Sequence, residues 1–453
     1  MKIIVVGCGK VGRTITEQLS KENHDLTVVD KDSNVIHDIT NNCDVMGVVG
    51  DGVSYSILKE AGVDEADIMI AVTESDELNL LCCLFAKKAG NCSTIARVRN
   101  PLYSKEISFI KQELGLSMII NPEYAAATEI ARIMRFPSAI EIDTFAKGRV
   151  ELMKFIVNES SDLHDMSIVQ LSKKYHADVL VCAVERNGDV VIPNGSFVLQ
   201  KGDILSIIAS PTEARDFFKE IGVETHQVKN TIIVGGGTIA YYLAKQLIDM
   251  GIHVKIIEKD YARCEHLSEL LPSAVIIHGD ATNQDILFEE GISHTESFVS
   301  LTGIDEGNIF LSLFAQQASK SNAKIITKIN RISFDEIINN FHLGSLIYPK
   351  FITAEYILQY VRAMQNSMGS NVETLYRIIE DKAEALEFHI DDESRITGTP
   401  IQDLPLKKNI LIACINRDGK TIIPKGNSEI EVGDTVIVIT TQNGLRNVKD
   451  ILI

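Results

Sequence analysis

Four branched apolar residues, Ile3 to Val6, run without a polar break into Gly7. Similar runs recur near 26–30, 44–49, 67–73, 94–98 and 117–120. Short runs of this kind read as strands buried on both faces. Between them lie stretches with helical periodicity, such as 13–21, 55–61, 76–89 and 105–114. Strands alternating with helices predict a parallel sheet, and six strands opened by a glycine turn predict the Rossmann order. Pro122 ends the pattern, and 123–136 reads as a helix with Ile130, Ile133 and Met134 on one face. The pattern then changes. Val179–Pro193 alternates around Asn187-Gly188, the signature of a two-residue hairpin, so a small α+β unit follows the parallel sheet.

The same order is then written again. "IIVVGCGKVG" (3–12) returns as "IIVGGGTIA" (232–240), and Asp30 in "VVDKD" returns as Glu258 in "IIEKD". "GDGVSYSILKEAG" (50–62) matches "GDATNQDILFEEG" (279–291), and "TESDELNLLCCLFAKKAG" (73–90) matches "TGIDEGNIFLSLFAQQAS" (302–319). The second unit recurs too, with its hairpin at Asp418-Gly419 and second turns at Gly202-Asp203 and Gly433-Asp434. The repeat is far longer than a solenoid unit, so it is a duplicated two-domain module. The expected fold class is α/β: two Rossmann-like domains, each followed by a small α+β domain. The expected limits are 1–136, 137–221, 229–364 and 373–453, with polar linkers at 221–230 and 365–372.

The glycine turns carry the candidate chemistry. A pyrophosphate is anionic, and the first turn of a helix offers unpaired N–H groups and a positive dipole end. Gly7 makes the tight turn, Gly9 leaves room for the phosphates, and Gly12 lets helix and strand pack closely. In the second copy Gly235 and Gly237 take the first two roles and Ala240 the third. Asp30 and Glu258 end the second strands, where a carboxylate accepts from both ribose hydroxyls and repels a 2′-phosphate. Other residues at strand ends face the same crevices: Asp51 and Asp280 toward an adenine amino group, Thr73 and Thr302 toward the far ribose, Arg97 and Lys328 toward a phosphate. Asp76 and Asp305 are expected as helix N-caps.

Composition narrows the partners. The 453 residues are 45% hydrophobic and 23% charged, as in soluble globular proteins, and the net charge is −18. That field repels nucleic acid and anionic lipid. No apolar run approaches the roughly 20 residues that span a bilayer, so no direct membrane insertion is expected. The eight cysteines form no CxxC and are expected as buried free thiols in a reducing cytoplasm. His164, His176 and His389 do not recur at matched places, and no HExxH, Ser-His-Asp order or metal-ligand cluster is present in the sequence.

The ordered set "GCGKVG", "VVD", "GDG", "AVTESDELN", "IINPEYAAATEIAR" and "IPNG…KGD", written twice, resembles the TrkA family. These are two-repeat regulators of bacterial potassium uptake built from RCK (KTN) domains. The resemblance covers essentially the whole chain; Ala240 and "GGGTIAYY" depart from it in the second glycine turn. It implies a non-enzymatic, nucleotide-binding regulatory subunit. It implies NAD, as NAD⁺ or NADH, as ligand, with ATP or ADP as the alternative, above all at the second site. It implies a homotetramer, cytoplasmic and peripheral, under a TrkH- or TrkG-type potassium channel in the inner membrane. The helices 123–136 and 351–364 would be its hinges. Carried onto this chain, the first site is Gly7, Cys8, Gly9, Lys10, Val11, Gly12, Asp30, Asp51, Thr73, Glu74 and Arg97. The second is Gly235, Gly236, Gly237, Thr238, Ile239, Glu258, Asp280, Thr302 and Lys328. Relatives bind a cyclic dinucleotide in the C-terminal lobes, a point the residues here leave open. Two other readings stand beside this one: an NAD-dependent oxidoreductase of a small metabolite, and a scaffold with vestigial sites.

Overall fold

The structure is a computed structural model that describes the chain apart from residues 23, 91, 105, 136–140, 146–149, 158–161, 176–177, 223–227, 320–322, 332–342, 368–371, 380–381, 443–444 and 446. The expected linkers, 221–230 and 365–372, lie in good part outside the described residues. The chain forms two compact units, and each joins one copy of a repeat to the other. The first unit is Met1–Ala131 with Val228–Leu358, and the second is Arg132–Gln227 with Gln359–Ile453.

The first unit holds two parallel six-stranded sheets of identical order, 3-2-1-4-5-6 counted along each lobe. In the first lobe the strands are Lys2–Val6, Asp25–Asp30, Met46–Val49, Ile68–Ala71, Ser93–Arg97 and Met118–Ile120. In the second they are Asn230–Val234, His253–Glu258, Val275–His278, Ser297–Ser300, Lys324–Lys328 and Ser345–Ile347. Helices cover both faces, which is why the central strands are apolar throughout: Ile3 to Val6 and Ile68 to Ala71 are all buried. Order reverses between the first and fourth strands, and the crevice at their carboxyl ends is the ligand position of such sheets. Helices Lys10–Ser20 and Thr238–Asp249 begin there. One helix was not legible in the pattern. Ser33–Asn42 is rich in Ser, Asn and Asp, yet the Asp32 side chain accepts from Asn34 N–H and caps it, while Ile36 and Ile39 bury its inner face.

The two lobes of this unit meet through the helix after the sixth strand, Pro122–Arg135. Tyr124 packs edge-on against Tyr242 at 5.4 Å, the Asn121 amide donates to the Tyr242 hydroxyl at 3.1 Å, and Gln246 donates to Thr128 at 3.1 Å. Ile130, Ile133 and Met134 are buried, as the periodicity predicts.

The second unit holds two antiparallel five-stranded sheets, again of one order. The hairpins turn at Asn187-Gly188 (φ 54° and 82°) and Asp418-Gly419 (φ 49° and 76°), the left-handed pair that a two-residue I′ turn requires. A buried aspartate pins the second turn of each lobe: Asp203 takes a two-point ion pair from Arg186 at 2.7 Å, and Asp434 takes one from Arg417 at 2.9 Å. Leu152, Cys182, Ala183 and Ile208 share one core with Ala383, Ala385, Ala413, Cys414, Ile437 and Ile439. The lobes differ in their helices. The first has Ile168–Lys174 and Pro211–Glu220; the corresponding described segments of the second, Ile401–Asp403 and Val448–Ile451, are single 3₁₀ turns. All eight cysteines are free thiols, buried except Cys43, which is half-buried.

Candidate dinucleotide site

The first glycine turn opens onto a cavity of about 1020 Å³. Gly7, Cys8, Gly9, Lys10 and Val11 line its floor, and Asp30, Asp51, Thr73, Glu74 and Arg97 line its walls. Gly12 sits behind the turn. A Cβ there would lie 1.9 Å from the Gly7 carbonyl oxygen, so close helix–strand packing depends on its glycine. Gly9 is the opposite case. A Cβ built on it meets nothing within 4 Å, so the space it leaves is cavity.

Asp30 is held by the loop it faces. One carboxylate oxygen accepts the Cys8 N–H at 2.7 Å and the other accepts the Asp32 N–H at 3.0 Å. An ionised carboxylate offers about four acceptor positions, so both oxygens retain capacity for ribose hydroxyls. The Cys8 thiol is no nucleophile: burial, then the Asp30 charge, push it up to about 12. Thr73 is set by Asn79, which is fully buried. The Asn79 amide oxygen accepts the Thr73 N–H at 2.8 Å and the Thr73 hydroxyl at 2.7 Å, and its NH₂ reaches the Arg97 carbonyl at 2.9 Å. The Thr73 hydroxyl proton is thereby committed, which leaves its oxygen to accept from a ligand. The Asp51 carboxylate accepts its local Val53 N–H, at 3.2 Å.

A group of charges closes the far end. Arg97 donates to the Thr73 carbonyl at 3.2 Å, while its buried Nε has no partner among the described residues. Burial, then the neighbouring Arg99, lower the Arg97 pKa. Burial raises that of Glu123, against the pull of Arg97, and its buried Oε2 has no partner among the described residues.

The second lobe also lines this cavity. Gly237, Thr238, Ile239 and Lys328 line the first-lobe cavity, together with Asn330 and Lys350. Gly235, Gly236, Glu258, Asp280 and Thr302 do not line it. Their local geometry repeats the first lobe: Glu258 accepts the Gly236 N–H at 2.6 Å and the Asp260 N–H at 2.8 Å, and Asn308 holds Thr302 as Asn79 holds Thr73. Lys328 is buried, its ammonium donating to the Leu301 carbonyl at 3.1 Å.

Two expectations are corrected. Asp76 does not cap its helix. Ser75 does, accepting the Leu78 N–H, and the Asp76 carboxylate accepts the N–H groups of Arg99 and Asn100. Asp305 likewise holds the N–H groups of Asn330 and Arg331. Both aspartates pin the loop after the fifth strand, because their position at the first helical residue points the side chain across the sheet end. Asn79 and Asn308 escaped notice, although their recurrence in "TESDELN" and "TGIDEGN" was the available signal. Val35, Glu123 and Lys350 carry no sequence signal for a place in the cavity.

A tandem of Rossmann lobes with an acid-backed glycine turn, alternating with small antiparallel lobes, defines a class of two-repeat nucleotide-binding chains. The sequence profile described as the TrkA-N domain matches residues 3–122 and 231–349, and the TrkA-C domain matches 152–222 and 385–453. Over its whole length the chain is 31% identical to the Trk system potassium uptake protein TrkA of Haemophilus influenzae, covering 98% of that protein. It is 32% identical to the TrkA homolog of Archaeoglobus fulgidus, with full coverage of both. Among solved structures, the GsuK channel superposes with a TM-score of 0.66 at 17% identity, over 97% of this chain and 77% of that one. The GsuK channel bound to NAD superposes at 0.64, also at 17% identity and with the same coverage of both chains. The chain belongs to the TrkA family.

Proposed function

We propose that this chain is the nucleotide-sensing regulatory subunit of a potassium uptake system, and that a dinucleotide in the first-lobe cleft is its signal. The observation that carries the reading is the convergence of the glycine turn, Asp30, Asp51, Thr73 and Arg97 on one cavity of about 1020 Å³. Their roles follow from chemistry. The turn from Gly7 to Val11 cradles the pyrophosphate, Asp30 grips the adenosine ribose, Asp51 meets the adenine amino group, Thr73 accepts from the second ribose, and Arg97 balances phosphate charge. The preferred ligand is NAD⁺ or NADH, with ATP or ADP as competitors. Relatives named for Trk potassium uptake and a neighbouring channel bound to NAD support both halves of the reading. A GsuK structure bound to ADP, at a TM-score of 0.51 and 15% identity, supports the competitors. Among the described residues no helix is long and apolar enough to cross a membrane. The channel would be a partner of the TrkH or TrkG type. The subunit would work as a homotetramer on the cytoplasmic face. Its lobes would run 1–136, 137–221, 229–364 and 373–453.

The ligand acts as a signal, not a substrate. It shifts a population between two arrangements by its differential affinity for them. The test is potassium flux through a reconstituted partner, titrated with NAD⁺, NADH, ATP and ADP separately. Flux that ignores all four nucleotides defeats the reading. Turnover of NADH with a metabolite panel would replace it with an oxidoreductase.

A further inference from the structure

The two Rossmann lobes carry corresponding glycine turns, each backed by a carboxylate, Asp30 or Glu258, and among the positions where they differ one lies beside that carboxylate. Val35 in the first lobe corresponds to Arg263 in the second, each in the first turn of the helix that follows the ribose-side carboxylate. Val35 and Cys8 both line the first cavity and leave open space between helix and glycine loop. Their counterparts are joined. The Arg263 guanidinium crosses from its helix to the loop, where Nε donates to the Gly236 carbonyl at 2.6 Å. The N–H of that same Gly236 is held by Glu258. Arg263 thus lies across the path between the pyrophosphate cradle and the carboxylate, which an adenosine ribose must take. The adenine side differs as well. Asp280 accepts both the N–H and the hydroxyl of Thr282, at 2.9 and 2.8 Å, where Asp51 accepts one N–H. Tyr261 packs edge-on against His278 at 5.4 Å across the neighbouring strand end.

We propose that Arg263 closes the adenosine cleft of the second lobe from within, so that each chain takes one dinucleotide, in the first lobe. A guanidinium suits this task. It supplies rigid donors for a carbonyl, and here Nε donates to that of Gly236. The second lobe keeps the strand–turn–helix geometry and gives up the ligand. The inference rests on reading the first cleft as a dinucleotide site.

The test is calorimetric titration of the full chain with NADH, comparing the wild type with Arg263→Val and Arg263→Ala. Valine is the residue that the first lobe uses here, and a thermal melt of each variant confirms folding. The expected result is one NADH per chain in the wild type and two in both variants, the added site lost again on combining Arg263→Val with Glu258→Ala. Two NADH per wild-type chain, or one in folded variants, overturns the proposal and leaves the first site standing. No binding in the wild type with one site gained in the variants supports Arg263 as the closure and removes the first-site reading. No binding in any of the proteins overturns both.

Discussion

The backbone N–H of Cys8 donates to Asp30 at 2.7 Å, and 228 residues later the N–H of Gly236 donates to Glu258 at 2.6 Å. The carboxylate that would grip a ribose is therefore also the brace of the loop that would cradle the pyrophosphate. Each holds the other in place before a ligand arrives, which lowers the ordering cost of binding.

Asp30→Ala removes both the ribose acceptor and the brace. Hydrogen bonds to charged groups contribute about 1.5–3 kcal/mol each, so NADH affinity should fall by roughly 10- to 100-fold. Asp30→Asn keeps an acceptor for the Cys8 N–H and loses the charge, so it should fall less. It should also narrow the preference for NADH over NADPH, since the repulsion of a 2′-phosphate goes with the charge. Calorimetry with both nucleotides checks this; an unchanged NADH affinity in Asp30→Ala rules out the assignment.

Gly9 and Gly12 separate binding from folding within one turn. A Cβ at Gly9 enters empty cavity, and its backbone (φ −66°) suits any residue. Gly9→Ala should melt at the wild-type temperature and lose nucleotide binding. Gly12→Ala forces a Cβ against the Gly7 carbonyl oxygen, an overpacking cost of about 1–3 kcal/mol. Its melting temperature should drop whether or not ligand is present. Thermal shift with and without NADH distinguishes the two, and equal melting losses in both variants would refute the separation.

Much of this was legible in sequence because it is periodic or repeated. Apolar runs such as Ile3 to Val6 report burial on both faces, and the doubled glycine turn with its acid reports a helix start facing a strand end. The rest depends on contacts between segments distant in the chain. Nothing local to Lys328 says that its lobe lines the other lobe's cavity, and nothing local to Val35 or Arg263 says that one faces space and the other a carbonyl. Asp76 misled for a related reason: the preference of Asp for helix starts is real, but Ser75 already held the cap, and the aspartate was free to hold the Arg99 and Asn100 N–H groups.

The second lobe carries a buried hydroxyl chain that the first lacks. Ser300 and Ser312 share a hydrogen bond at 2.8 Å, and the Thr327 hydroxyl lies 2.7 Å from Ser312 and 3.0 Å from the Leu343 carbonyl. The corresponding first-lobe residues, Ala71, Cys83 and Ala96, are buried without hydroxyls. Ser312→Ala removes two hydrogen bonds from this chain, leaving Ser300 only the Ile326 carbonyl at 3.4 Å and Thr327 only the Leu343 carbonyl, and should cost about 1–3 kcal/mol. Replacing all three by the first-lobe set, Ser300→Ala, Ser312→Cys and Thr327→Ala, removes donors and acceptors together and should cost less than the single change. Denaturant unfolding of the single and triple variants measures that non-additivity; a triple variant weaker than Ser312→Ala contradicts it.

Glu123 sets a pH dependence whose sign follows from its surroundings. Burial raises its pKa, Arg97 opposes this, and Oε2 is buried without a partner among the described residues. The folded chain therefore binds this proton more tightly than the unfolded chain, where a glutamate titrates near its ordinary value of about 4.3. Below that value both states are protonated and the residue is neutral in the balance. As pH rises from there to the raised folded value, the unfolded state ionises first, and the folded state loses stability relative to it. Glu123→Gln removes the charge that burial penalises. It should therefore melt higher than the wild type at neutral pH, and the difference should shrink as pH falls toward 4. Thermal melts of both proteins across that range decide it: a difference that is constant with pH would show that Arg97 cancels burial, and a variant that melts lower at neutral pH and recovers on acidification would show that Arg97 outweighs it.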